Sequence, residues 1–321
     1  MAPTGDTYLV KLVINNNAFS RLVYSAANGS TVYTNVSGIR CLRIADGANG
    51  ALAITGGSLE TRGWGDFVGN SSGNSGLLVI DGGTYISTNN NAFCLGANNG
   101  YGTLTISNGL AKISTINLWC SVGAINLVGG TLSLSGMTLN TGAGSAALNL
   151  NGGTLQAWRG STAWLYAGTN LAVRLNGSVV FDTVDSFVTN AAPIIGTGTL
   201  TKIGSGALWL NVSNTLGAAT VNAGTLHLGG SNTIASGITL NAGTLGVNHA
   251  AALGSAPLTI NGGRINNASG TSVANALGGP INVNSNFTFV GSNDLNLGTG
   301  TVSLAGSLVV TNFAHTLTFG G

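Results

Sequence analysis

The sequence has 321 residues, of which 52 are glycine, and its 10 Lys and Arg against 8 Asp and Glu give a formal net charge of +2. Charged residues make up 6% of the chain, whereas an ordinary soluble domain has roughly 25%. So few cations exclude the basic face of a nucleic-acid binder, and a mean hydropathy of +0.37 argues against disorder. Leu, Val, Ile and Thr alternate with Gly and Asn, which favours strands over helices.

One phrase recurs along most of the chain. Two apolar residues in alternation lead into a turn of Gly-Gly, Asn-Gly or Ala-Gly, and further alternating residues follow. The turns begin at positions 56, 82, 108, 129 and 152 in the first five copies, and at 223, 242 and 262 in the last three. This regular spacing predicts a solenoid, because a single coil cannot bury its inward face and stacked coils can.

We therefore expect an all-β fold, a single-stranded right-handed parallel β-helix (β-solenoid) of roughly 12–14 coils. Residues 1–38, with few glycines, are predicted to form capping strands. A block of long coils follows over 39–155, then an irregular segment over 156–197 and a block of shorter coils over 198–321. The last residues stop within the pattern, so we expect either a longer parent chain or an uncapped end that stacks on another molecule. Neither a signal peptide nor a membrane-spanning helix is predicted.

The offset from position 52 to 78 recurs from 78 to 104, and it aligns like side chains along the front block. We expect these side chains to form inward columns, called ladders here. The predicted ladders are Leu52–Leu78–Leu104, Ile54–Ile80–Ile106 and Cys41–Phe67–Phe93–Trp119.

The same offset relates Cys94 to Cys120 and Arg40 to Asp66. Stacked neighbours have Cα atoms about 4.8 Å apart, which is within the range of a disulfide. We nevertheless favour two buried thiols, because parallel Cβ vectors make the disulfide torsion awkward. For Arg40 and Asp66 the alternatives are an ion pair between adjacent coils and two solvated charges.

The segment 198–210 reads Gly-Thr-Leu-Thr-Lys-Ile-Gly-Ser-Gly-Ala-Leu-Trp-Leu, and Thr-Val-Asn-Ala-Gly-Thr-Leu follows at 220–226. This arrangement resembles the autotransporter-associated β-strand repeat of bacterial secreted and surface proteins. The full match covers only this segment, with weaker copies over 219–267 and, loosely, over 51–155. The resemblance implies an exported passenger that is extracellular or attached to a bacterial cell surface. It transfers no catalytic residues.

A second class, the carbohydrate-active enzymes built on β-helices, needs clustered carboxylates. Asp182 and Asp185 are the acidic pair closest in sequence, with Arg174 nearby, but a spacing of three places two strand residues on opposite faces. Asp66 and Asp81 could approach each other on adjacent coils, but no third ligand is evident.

The three histidines have no spacing typical of a metal site. They are His227, His249 and His315. We expect His227 to be a structural strand residue, and we predict no catalytic residue, metal or other cofactor.

Three aromatic residues of the irregular segment, Trp158, Trp164 and Tyr166, are the candidate carbohydrate-binding residues. Exposed rings there could stack on sugars, and the alternative is that they fill a wider section of the core.

The leading hypothesis is a non-enzymatic extracellular structural or adhesive rod that associates end to end with itself into filaments and contacts glycans or a cell surface. The alternatives are a polysaccharide lyase or hydrolase and a carbohydrate-binding module on the same scaffold.

Overall fold

The computed structural model describes residues 7–9, 12–14, 22–34, 41–62, 65–88, 93–119, 122–140, 145–165, 171–276 and 278–320. These residues form an all-β parallel β-solenoid of about 11 turns, which confirms the predicted fold class. The roughly 12–14 coils expected referred to the whole chain. None of the described residues belongs to a helix long and apolar enough to cross a membrane.

The chain divides into two compact units, the first consisting of residues 1–158 with 168–173 and the second of 159–167 with 174–321. This division does not test the boundaries predicted at 38, 155 and 197, and most of the predicted cap lies outside the described residues.

The first unit winds around three sides. Its strands are β1 (Thr7–Leu9), β2 (Leu12–Ile14), β3 (Leu22–Thr34), β4 (Leu42–Ile44), β5 (Gly50–Arg62), β6 (Asp66–Val68), β7 (Ser75–Ser87), β8 (Phe93–Leu95), β9 (Tyr101–Trp119), β10 (Val122–Leu127), β11 (Thr131–Asn140), β12 (Ser145–Leu150) and β13 (Thr154–Ala157). Long strands such as β5, β7 and β9 run around a corner and contribute to more than one side. Strand β15 (Leu171–Leu175) has residues in both units.

The second unit has shorter strands. They are β14 (Ser161–Leu165), β16 (Ser178–Asp182), β17 (Phe187–Asn190), β18 (Ile194–Gly196), β19 (Thr199–Ile203), β20 (Ala207–Leu210), β21 (Thr215–Leu216), β22 (Ala218–Val221), β23 (Thr225–Leu228), β24 (Thr233–Ile234), β25 (Ile238–Leu240), β26 (Thr244–Val247), β27 (Leu258–Ile260), β28 (Arg264–Asn266), β29 (Val273–Ala274), β30 (Ile281–Val283), β31 (Phe287–Phe289), β32 (Leu295–Asn296), β33 (Val302–Leu304), β34 (Val310–Asn312) and β35 (Leu317–Thr318). One side is the parallel series β16–β19–β22–β25–β27–β30–β33, and a second is β14–β17–β20–β23–β26–β28–β31–β34.

Two of the predicted ladders are confirmed. Leu52 lies opposite Leu78 and Leu78 opposite Leu104 in parallel register, and the isoleucines at 54, 80 and 106 pair in the same way. All six side chains are buried. Because alternate strand residues face opposite sides, this register places every leucine and isoleucine of the two columns in the core.

The third ladder is wrong. Phe67 lies opposite Cys94, whereas Phe93 lies opposite Asp66 and Ile116. The offset that pairs Leu52 with Leu78 would have paired Phe67 with Phe93, but the corner before β8 is one residue longer than that offset requires. A slip of one residue moves a side chain to the other face, so Phe67 and Phe93 belong to different columns. Nothing is described for the side chain of Trp119.

For each of the two other predicted pairs of the front block, only one residue is described. Cys94 is buried, but Cys120 lies outside the described residues, so their pairing stays untested. Arg40 also lies outside them, so its ion pair with Asp66 stays untested, whereas the alternative of a solvated charge at Asp66 is wrong because Asp66 is fully buried.

The glycines of the Ala-Gly-Thr-Leu turns are required by two features of the stack. Gly224 and Gly243 have φ angles of +62° and +74°, a region that residues with a Cβ rarely adopt. A Cβ on Gly243 would also lie 2.4 Å from the carbonyl oxygen of Gly224 on the preceding coil. The repeated turn therefore depends on glycine for both conformation and close approach.

Candidate functional site

Trp158, the first predicted carbohydrate-binding residue, is partly exposed. The Nζ atom of Lys112 lies 4.4 Å from the centroid of its ring, a cation–π contact. Ser133 pairs with both Lys112 and Gln156 in the parallel ladder and is buried. Lys112 and Gln156 therefore lie in one column near Trp158. The surface around the tryptophan carries the ammonium of Lys112 and the amide of Gln156, and Trp158 stays a candidate for ligand contact.

Trp164, the second predicted residue, is not accessible. Its side chain is 0% exposed, and its ring meets that of Phe181 edge to face with centroids 6.3 Å apart. Trp164 fills the core, as the alternative interpretation of the aromatic residues proposed, because a large apolar side chain gains most by complete burial. Tyr166 lies outside the described residues.

The most unusual polar group of the first unit is Asp66, which points into the core and is 0% exposed. Its Oδ2 accepts hydrogen bonds from Thr61 Oγ1 at 2.7 Å, Ser87 Oγ at 2.7 Å and Tyr85 OH at 2.9 Å. Its Oδ1 accepts one from the backbone N–H of Leu42 at 2.9 Å. The donors come from three strands, so this cluster cross-links adjacent coils through one carboxyl group.

Burial raises the pKa of the Asp66 carboxyl, and the hydrogen bonds from Thr61, Ser87, Tyr85 and Leu42 oppose that rise only in part. Burial, followed by the charge of Asp66, raises the pKa of Tyr85 well above its usual value. A perturbed acid in a cleft would suggest catalysis. This acid is enclosed in the core, so its position supports a structural role.

The acidic pairs considered for an enzyme do not form a joint site. Asp81 is exposed at a corner and accepts a hydrogen bond from Ser107 Oγ at 2.8 Å, whereas Asp66 is in the core. The Oδ1 atom of Asp182 accepts the backbone N–H of Val184 at 2.8 Å and so stabilises its own turn, while Asp185 is exposed. Among the described residues, no three His, Cys, Asp or Glu side chains converge as metal ligands would.

Lys202 is a buried cation that the sequence did not single out. It occupies a core position of β19, opposite Phe181 and Val221, and is 0% exposed. Its Nζ donates to the carbonyl oxygens of Ile203 at 2.6 Å, Gly204 at 2.9 Å and Ala223 at 3.2 Å. Burial lowers the pKa of Lys202 to about 8, although the charge of Asp182 acts in the opposite direction. Lys202, which belongs to the repeat segment 198–210, thus forms hydrogen bonds with two successive turns from the core side.

His227 lies in β23, as predicted, and is 7% exposed. Its imidazole stacks on the ring of Trp209 with centroids 3.6 Å apart, and Gly246 on the next coil leaves the room for it, since a Cβ there would lie 2.1 Å from His227 Nδ1. Asn248 Oδ1 accepts the N–H of Ala268 at 2.8 Å, so its Nδ2 faces His227 Nδ1 at 3.0 Å as a donor. Nδ1 is therefore the acceptor, and the neutral ring carries its proton on Nε2.

The other two histidines are exposed. His249 Nδ1 accepts the N–H of Ala251 at 3.0 Å, and His315 Nδ1 lies 3.6 Å from Asp294 Oδ1. They belong to separate parts of the second unit and do not combine with His227.

The last described coil of the second unit exposes apolar side chains. The largest are Leu304 at 62% and Phe313 at 69% exposure, and Val309 and Val310 are exposed as well. Strands β33 and β34 pair with β30 and β31 on one edge only among the described residues. This coil therefore presents both apolar surface and unpaired backbone groups.

No protein-family model matches the sequence, and no curated protein or solved structure matches the chain. The family resemblance therefore rests on the residues of the repeat alone.

Replacing Asp66 by Asn should remove a pH dependence of stability. Because its pKa is raised, the folded chain binds a proton more readily than the unfolded chain between the usual value of 3.8 and the raised one. We expect the wild type to gain stability relative to Asp66→Asn as the pH falls through this window, by about 1.4 kcal/mol per unit of the rise. Urea unfolding from pH 7 to pH 4 measures this, with exposed Asp81→Asn as the control. A difference independent of pH would contradict the assignment.

His227 should act in the opposite direction. Burial lowers its pKa from 6.5 to about 4, so the unfolded chain binds more protons between these values and the stability from neutral His227 is lost as the pH falls through them. The full loss is about 3 kcal/mol for this shift in pKa. At pH 7 the urea midpoint of the wild type should exceed that of His227→Gln, and this difference should shrink at pH 4.5. Exposed His249→Gln should follow the wild type at both pH values. A constant gap between the wild type and His227→Gln would refute the buried neutral state.

Proposed function

We propose that the chain is a non-enzymatic structural or adhesive β-solenoid that works outside the cell or on a bacterial cell surface, like an autotransporter passenger. The observation that carries the proposal is that the side chains best suited to chemistry are enclosed in the fold. Asp66, Lys202 and His227 are each buried and hydrogen-bonded within the stack of coils. Groups fixed in this way contribute to the scaffold rather than to a reaction, and the repeat at 198–226 supports the passenger-like role.

Self-association end to end is the second part of the proposal. Every inner coil of a solenoid covers the apolar side chains of the coil before it, and the last described coil of this chain leaves Leu304 and Phe313 exposed. An exposed strand edge with apolar side chains is a template for another strand. A coil of a second molecule would pair with this edge and cover these side chains.

Replacing Leu304 and Phe313 together by lysine should prevent this association, since lysine on an exposed edge opposes strand pairing. We expect concentration-dependent oligomers of the wild type in analytical ultracentrifugation and filaments by negative-stain microscopy, both lost in the double variant. The matched control replaces Phe187 and Ile195 by lysine. These two residues of the second unit are also exposed and apolar, but they lie in β17 and β18, which pair with β20 and β21 and not with the last coil. A wild type that stays monomeric at high concentration would sink the proposal of self-association.

Carbohydrate binding is a second candidate function, and the partial exposure of Trp158 beside Lys112 is the observation that favours it. Ring stacking and a nearby hydrogen-bond donor are what a sugar ring requires. For the carbohydrate-active enzyme, Asp182 and Asp185 provide less support, because Asp182 already stabilises its own turn.

If this surface binds glycans, titration with soluble oligosaccharides should change the intrinsic fluorescence of the wild type. Trp158→Ala should abolish the change, because the stacking ring is removed, and Trp209→Ala should preserve it. Identical responses of the wild type and Trp158→Ala would remove Trp158 from the list of binding residues.

A further inference from the structure

One side of the second unit carries two straight columns of uncharged polar side chains. On the series of strands that begins with β19, the first column is Thr201, Thr220, Thr239, Thr259, Asn282 and Ser303, which are opposite one another in parallel register. The second column is Asn222, Asn241, Asn261 and Asn284, each two residues after a member of the first. The first column alternates with buried residues of its strands, and each asparagine follows the last residue of a strand and is exposed, so both columns lie on the outer surface. We call this surface the Thr–Asn face.

The asparagines are locked in one orientation. Asn241 Nδ2 donates to Asn222 Oδ1 at 2.8 Å, Asn261 Nδ2 to Asn241 Oδ1 at 2.8 Å, and Asn284 Nδ2 to Asn261 Oδ1 at 2.9 Å. The amides of Asn241 and Asn261 each use one N–H and one oxygen lone pair in bonds to their neighbours, and each keeps one N–H and one lone pair for a ligand. All four side chains are exposed. The column therefore presents the same donor and acceptor once per coil, already ordered.

The threonines beside them keep their full hydrogen-bonding capacity. Thr220, Thr239 and Thr259 are partly exposed, and none of them has a side-chain hydrogen bond to another described residue. A β-branched side chain has few χ1 rotamers, so these hydroxyl groups are also held in position at little entropic cost to a ligand. Successive coils are about 4.8 Å apart, which sets the repeat of the array.

The scarcity of charged side chains on this surface limits the classes of ligand that it can bind. No Asp, Glu, Lys or Arg occurs from Ile203 to Gly263, the segment that supplies most of the Thr–Asn face. The cation just before it, Lys202, is buried and points into the core. A nucleic acid or an anionic polymer would find no counter-charge here, whereas a neutral chain of hydroxyl groups loses nothing by its absence.

We propose that the Thr–Asn face is a docking surface for an extended, neutral polysaccharide, whose repeated hydroxyl groups exchange hydrogen bonds with the threonine and asparagine columns. The proposal rests on the adhesive role proposed above and names its ligand class. One contact is weak, but a straight array allows several coils to bind one chain at the same time. This surface is distinct from the ring of Trp158, which belongs to the first unit.

The test replaces Thr220, Thr239 and Thr259 together by valine. Valine has the same shape and favours strands, so the variant should fold, and circular dichroism with thermal unfolding verifies this. Wild-type protein is mixed with insoluble cellulose, chitin and α-glucan, and with alginate as an anionic comparison. We expect binding to at least one neutral polymer and none to alginate. Loss of three hydrogen bonds should weaken that binding at least about tenfold in the valine variant.

The matched control makes the same change on the neighbouring side of the unit, at Thr225, Thr244 and Thr288, which share one outward column with Arg264. This variant should bind as the wild type does. Equal binding by the two triple variants, preference for alginate, or no binding to any of the neutral polymers would each overturn the assignment. So would thermal hysteresis that depends on the three threonines, since it would identify ice as the ligand. Failure in these assays leaves self-association, which is measured by sedimentation, as a separate question.

Discussion

The stacking of one coil on the next in matching register is the constraint on which the rest of this structure depends. Each coil buries its inward side chains only because the coils before and after it place like residues at the same height, as the leucines at 52, 78 and 104 do. Parallel strands bound on both edges leave few unpaired backbone groups. The turns must then repeat without a Cβ at the points of closest approach, which explains glycine at 224 and 243.

The same register places polar side chains above one another, and the outcome depends on which way they face. Inside, a single polar residue must be satisfied by neighbours, as Asp66 is by three hydroxyl groups and a backbone N–H and Lys202 by three carbonyl oxygens. Outside, repeated polar residues form columns that either bond to one another, like the asparagines, or stay available, like the threonines. The alternation of the strands thus separates polar side chains that the core must satisfy from polar side chains that face outward.

Much of the fold was predictable from local patterns. Alternating apolar residues and regularly spaced glycine turns indicated stacked coils, and two ladders were assigned with the correct partners. The ladder through Phe67 and Phe93 failed because one longer corner changes the step on one side while the next side keeps it. The length of a corner depends on how its loop packs, so the offset between strands on one side does not predict the length of the next corner. The Thr–Asn face was not predicted, because only the register shows that the Thr-x-Asn triplets at 220, 239 and 259 form one surface.

The class of fold, the repeating turn and the near absence of charge were fixed at the level of the sequence, because they follow from composition and from the period of the hydrophobic pattern. The enclosure of Asp66, Lys202 and Trp164, and the exposure of part of Trp158, became evident only in the folded chain. The physical reason is that burial is a property of the stack. A side chain is covered by residues one coil away, and their identity depends on the register, which a slip of one residue reverses.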